Sequence, residues 1–179
     1  MRSKIISFLI GCLIGGLIGG YQISAWAMPT GYKELAEYGK EISDPEEYME
    51  INKVDITLEV EEACEKYGEK YDICPEILEA ICWRESRCQP DVSNGSCKGL
   101  MQINTSVHSE RMKKLKVKDI YDVDGNVKVG ADLLAELDSK NNNIAKSLDE
   151  YNGNKQGGKS KYTKETLTVA SVLDRVGGD

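Results

Sequence analysis

The chain has 179 residues, with 23 Lys and Arg against 30 Asp and Glu, for a formal net charge of −7. With a leader set aside, about 150 residues remain, which is one domain's worth of chain and enough to bury a core. So acidic a balance lacks the basic face that phosphate backbones require, and nucleic acid is excluded from the expected partners.

The stretch 1–27 starts with Arg2 and Lys4, runs uncharged and mostly apolar from Ile5 to Ile23, and ends on small residues at Ala25 and Ala27. This is the layout of an export signal. An apolar run of about nineteen residues also suits a membrane-spanning helix, so cleavage after Ala27 and retention as a signal anchor both stay open. Leu9-Ile10-Gly11-Cys12 offers a third route, lipidation at Cys12, against which the apolar run beyond it argues. Gly11, Gly15 and Gly19 have the spacing of a helix-pairing face, although glycines that loosen a leader helix explain them more simply.

Residues 28–56 are acidic, carry Pro29 and Pro45, and read as a linker with a short helix around Leu35 to Tyr38. Thr57 then caps a helix with Val60 and Cys64 on one side, ending near Gly68. Pro75 suits the first position of a second helix running to Ser86, because its missing N–H has no partner there. Asn126 is the expected cap of a third, with Val129, Leu133, Leu134 and Leu137 as its apolar stripe. Ile144, Leu148 and Tyr151 continue the pattern on a fourth, and Thr163 to Val176 form the last. No alternating run of strand length appears. The expected fold is therefore mainly α, with one domain over 57–176.

Outside the leader stand Cys64, Cys74, Cys82, Cys88 and Cys97, an odd number that leaves at least one thiol unpaired within the monomer. Cys88 and Cys97 bracket a short polar loop, and a bridge between them would stabilise it by roughly 2–3 kcal/mol. Zinc is the rival reading. No Cys-x-x-Cys pair occurs and the only histidine is His108, so the tetrahedral spacings are missing and no metal is expected. Asp122-x-Asp124-Gly125 fails as a calcium loop, since its glycine is misplaced and Leu133 stands where the last glutamate belongs.

On the second helix Ile77, Leu78, Ile81 and Cys82 follow helical spacing, and Glu85 lies four residues past Ile81 and three past Cys82. Glu85 therefore falls on the buried face. A carboxyl against apolar walls holds its proton more tightly than in water, which is what a general acid near neutral pH requires. Glu76, Glu79 and Arg84 fall on the other side and read as a solvated face. The competing reading of Glu85 is a carboxylate paired with Arg84 or Arg87.

The segment 81–104 resembles the signature of the lytic transglycosylase family. Its carriers are Glu85-Ser86, Pro90, Ser93 and the unbroken run Gly99-Leu100-Met101-Gln102-Ile103. Asn126, Gly130, Ala131 and Leu134 resemble that family's next helix, Tyr151-Asn152-Gly153 its Tyr-Asn element, and Tyr162, Glu165 and Thr166 its ending. The departures are a loop one residue shorter between Glu85 and Gly99, Cys88 before the Gln89-Pro90 step, Asn104 after Ile103, and Asn154 after Gly153.

The resemblance implies a lysozyme-like helical domain with a substrate cleft, peptidoglycan glycan strands as partner, and no cofactor. It further implies Glu85 as the single acid/base, hydrogen bonds to substrate from Ser93, Gln102 and Asn152, a groove shaped by Met101, and Tyr151 near the acid. It also suggests a Cys88–Cys97 disulfide fixing a loop that other members fix by packing. With the leader, it places the protein outside the cell or anchored in the membrane facing the wall. Conjugation or secretion machinery is a further expected partner. Three alternatives remain: a lysozyme-type muramidase using water and a second carboxylate among Asp91, Glu110, Asp149 and Glu150; a non-catalytic wall-binding or secretion-assembly module; and a peptidase pairing Cys82 or Cys88 with His108.

Overall fold

The computed structural model describes residues 28–177, so the export signal, the anchor and the Cys12 lipid site lie outside the described residues. Among the described residues no helix is long and apolar enough to cross a membrane. The elements in chain order are α1 (Tyr32–Tyr38), α2 (Pro45–Asn52), α3 (Leu58–Tyr71) and α4 (Pro75–Ser86). There follow β1 (Ser93–Asn94), β2 (Cys97–Lys98), β3 (Ile103–Asn104), α5 (Ser109–Lys114), α6 (Val123–Asn141), α7 (Ile144–Tyr151) and α8 (Lys161–Gly177).

Local chemistry explains most boundaries. Thr57 caps α3, its hydroxyl accepting from the N–H of Val60 at 3.4 Å. The helix runs past Gly68 to Tyr71 and stops where Asp72 turns left-handed. Gly68 lies inside it, where a Cβ would stand 2.7 Å from the Ile73 carbonyl oxygen, so the close approach and not a helix end calls for glycine. Pro75 opens α4 as expected. Helix α6 is capped by Asp122, which accepts from the Gly125 N–H at 2.8 Å, and not by Asn126, which is a buried residue inside the helix.

The segment 28–56, expected as a linker, folds as α1 and α2, and both pack on α8. Leu35 enters the core at 1% exposure, Thr30 bridges Ile73, and Trp83 donates from its indole to the Lys53 carbonyl at 3.2 Å. Arg175 on α8 ties the α1–α2 connection by donating to the Ile42 carbonyl at 2.7 Å. The second helix is covered too, by α3 and α8. The face of α4 that carries Glu76, Glu79 and Arg84 is not solvated: Glu76 and Glu79 are buried and Arg84 is half-buried. Glu76 takes a hydrogen bond from the Cys74 thiol at 2.8 Å, beside Tyr32 of α1. Helix α4 thus sits at the centre, with α3 and α8 packed against it.

Strands β1, β2 and β3 make a small antiparallel sheet in that order, with Asn94 opposite Cys97 and Lys98 opposite Ile103. Two-residue strands carry no alternation that a sequence pattern would display.

The Cys88–Cys97 disulfide does not form. Among the described residues, Cys64, Cys74, Cys82, Cys88 and Cys97 form no disulfide with one another. Arg87 and Cys88 both take left-handed conformations, with φ of 55° and 58°. The chain thereby turns the Cys88 side chain back into the core beside Cys82 and Glu79, while Cys97 lies in the middle strand.

Candidate active site

Glu85 stands in the last turn of α4, where the helix emerges from the core, and its side chain is half-buried. Burial pushes its carboxyl above the ordinary value, and Tyr162, Arg84 and Asn152 pull the other way by favouring the charged form. Two elements bring these neighbours in. Asn152 ends α7 and Tyr162 begins α8, so the loop between those helices frames the acid.

The loop is built around Asp149. This buried carboxylate accepts from the backbone N–H of Gly158 at 2.7 Å, from that of Ser160 at 3.3 Å and from the Thr163 hydroxyl at 2.5 Å. Burial works against its charge, yet the hydrogen bonds from Ser160, Thr163 and Gly158 prevail and hold it below the ordinary range. Asp149 is therefore occupied with the loop. Asp91, Glu110 and Glu150, the other carboxylates weighed for a water-using mechanism, are exposed.

Asn152 presents its amide to Glu85 in a defined sense. The Asn154 side chain donates to the Asn152 side-chain oxygen at 2.9 Å, which leaves the Asn152 NH2 group for the carboxyl. Asn154, a departure from the family pattern, thus orients its neighbour. The enclosed Tyr162 hydroxyl faces the Glu85 carboxyl without reaching strict hydrogen-bond geometry with any described group. Tyr151 lies near the acid as well, and its hydroxyl donates to the Met101 carbonyl at 2.9 Å.

The Gly99–Ile103 run approaches from the other side. Asn126 holds it in place, accepting from the Met101 N–H at 2.8 Å and donating to the carbonyls of Lys98 at 3.0 Å and Ile120 at 2.7 Å. Met101 itself does not line a groove through its side chain, which is fully buried and fills the space left by Gly130. Its contribution beside Tyr151 is the backbone carbonyl. Gln102, left-handed at φ 47°, donates to the carbonyls of Gly99 at 2.9 Å and Val92 at 3.2 Å. Ser93 is exposed on β1 and accepts from Lys98. Both therefore make their hydrogen bonds within the hairpin region.

The structure brings together Glu85, Asn152, Tyr151 and the Met101 backbone from the residues named by sequence. It adds Tyr162 and Arg84. Tyr162 was visible only as an echo of the family ending, and Arg84 was assigned to solvent. Arg84, Asn152 and Tyr162 also line a polar cavity of about 440 Å³ together with Ser160, Lys161 and Glu165. A half-buried carboxyl with a raised proton affinity, beside a cavity rich in hydroxyl and amide groups, can donate a proton to a bound polyol or ether oxygen.

His108 stands at the start of α5, where burial lowers its pKa, and it has no place in this constellation. Among the described residues no cluster of His, Cys, Asp and Glu could hold a metal ion. The family model described as the transglycosylase SLT domain matches residues 62–168. No curated protein and no solved structure matches the chain.

Proposed function

The chain belongs to the transglycosylase SLT domain family, and from that premise we propose that it cleaves the β-1,4 bond between N-acetylmuramic acid and N-acetylglucosamine in peptidoglycan. The product is the 1,6-anhydro sugar. The observation that supports this most is the Glu85 carboxyl, half-buried with its proton held above the ordinary range, faced by the Asn152 amide and the Tyr162 hydroxyl.

Glu85 gives its proton to the glycosidic oxygen as the anomeric C–O bond breaks, so the leaving sugar departs as a neutral alcohol. The substrate's own 2-acetamido oxygen attacks the anomeric carbon, a step favoured by its enforced proximity, and replaces the second carboxylate of ordinary glycosidases. Glu85, now a carboxylate, takes the proton from the C6 hydroxyl while that oxygen displaces the acetamide and closes the anhydro ring. The acid ends protonated as it began, and no water is consumed. Asn152 steadies the carboxylate between the two steps, and Tyr151 with the Met101 carbonyl shapes the wall beside it. Ser93 and Gln102 have the residue types to hydrogen-bond substrate once a strand lies across the hairpin.

Hydrolysis with a second carboxylate is the weaker reading, because Asp149, the candidate nearest the loop, is buried under hydrogen bonds from Gly158, Ser160 and Thr163. The proposed setting is outside the cytoplasmic membrane, facing the wall, with the leader removed or retained as an anchor. A small exported wall-opening enzyme suits a conjugation or secretion assembly. Replacement of Glu85 by Gln tests the assignment: clearing of a purified peptidoglycan suspension should fall by about 10²–10⁴-fold with the fold intact. Unchanged clearing would show that the acid lies elsewhere.

A further inference from the structure

Arg84 immediately precedes Glu85, and only 22% of its side chain reaches the surface. Its guanidinium lies over the Tyr162 ring, with the central carbon 5.5 Å from the ring centroid. Nη1 stands 2.9 Å from the Glu165 carboxylate, and Nε is enclosed without a hydrogen-bond partner among the described residues. Tyr162 and Glu165 are three residues apart on α8 and so share a face. One side chain of the acid's helix thus grips a ring and a carboxylate of the facing helix, at the wall of the cavity beside the acid.

We propose that Arg84 is a positioning residue for Glu85: by clamping Tyr162 and Glu165 it fixes the Tyr162 hydroxyl against the acid. This rests on the reading of Glu85 as the acid/base. The ring itself has no other cation over its face among the described residues. A planar guanidinium stacks and forks at once, which the compact ammonium of lysine does not, so Arg84→Lys keeps the charge but loses the clamp.

The charge also acts on Glu85. The groups that face the carboxyl are Arg84 from its own helix, Asn152 and Tyr151 from α7, and Tyr162 from α8. Behind them Glu165 neutralises Arg84 and lies 3.6 Å from Lys161. Arg84 favours the ionised acid, so removing its cation strengthens the acid's hold on its proton. The high-pH limb of activity, where the proton is lost, then moves to higher pH. Removing Glu165 leaves Arg84 unbalanced and moves that limb to lower pH.

The test is the pH profile of kcat and KM on solubilised glycan strands for the full chain and for Arg84→Lys, Arg84→Gln and Glu165→Gln, with circular-dichroism melts alongside. For Arg84→Lys we expect kcat to fall about tenfold to a hundredfold with KM near wild type and the limb moved up less than in Arg84→Gln, because the released Tyr162 hydroxyl no longer favours the ionised acid while the cation stays. Arg84→Gln should show the same loss with its limb moved up, and Glu165→Gln should move it down. Wild-type kcat in Arg84→Lys, or limbs of Arg84→Gln and Glu165→Gln moving in the same direction, would overturn the proposal while leaving Glu85 as the acid. Wild-type protein inactive on glycan strands would overturn both. Should Arg84→Gln melt below the assay temperature, Arg84→Lys alone decides.

Discussion

The main-chain N–H of Met101 donates to the Asn126 side-chain oxygen at 2.8 Å, so a residue inside helix α6 fixes the backbone of the Gly99–Ile103 run. Asn126 spends its two donors on the carbonyls of Lys98 and Ile120 and is fully buried. Asn126→Asp keeps the shape and the acceptor, but sets a carboxylate against two carbonyl oxygens. The expected loss is about 3 kcal/mol or more. It would be read as a lower denaturant midpoint at unchanged slope.

Gly99 has φ +73°, and a Cβ there would stand 2.1 Å from the Asn126 amide nitrogen and 2.7 Å from the Ile120 carbonyl oxygen. Gly95 has φ +60° with open space around it. Backbone strain alone costs about 1–2 kcal/mol in the left-handed region. Gly95→Ala should therefore lower stability by about that much and spare wall clearing. Gly99→Ala should cost about 1–3 kcal/mol more through the clash and reduce clearing as well, compared by parallel melts and clearing assays.

Helices α4 and α6 show what was legible. Pro75 and the Ile77–Ile81 spacing placed α4 to the residue, with Glu85 in its last turn. The period of a helix tells which residues share a face but not what covers that face. Glu76, Glu79 and Arg84 therefore looked solvated, and only the packing of α3 and α8 on α4, with Tyr32 of α1 beside Glu76 and Cys64 of α3 beside Glu79, reveals their burial. Asp and Asn are both capping residues, so the pattern alone does not choose between Asp122, the true cap of α6, and Asn126, which lies inside the helix. Likewise the Cys88–Cys97 spacing suits a bridge, but two successive left-handed residues aim Cys88 inward, and no sequence period reports that turn.

Docking of 28–56 carries a consequence for stability. Its removal would expose Trp83, whose indole bonds Lys53, and the core side of α8 that Leu35 covers. The chain lacking residues 28–56 should melt well below the full chain, as measured by circular dichroism. Equal melting temperatures would show that α1 and α2 contribute nothing to the domain.

Asp149 ties stability to pH with a definite sign. Its folded pKa lies below the ordinary range, so its contribution is present above the unfolded value of about 3.9 and is lost as pH falls through the folded value. Asp149→Asn should be less stable than wild type at neutral pH. The gap should narrow as pH drops below about 4 in urea titrations at each pH.

The most direct measurement is the mass of the muropeptides that the purified protein releases from peptidoglycan. With Glu85 acting first as acid and then as base toward the C6 hydroxyl, the terminal muramyl residue appears as the anhydro sugar. Products heavier by one water would contradict the account and mark the protein as a hydrolase.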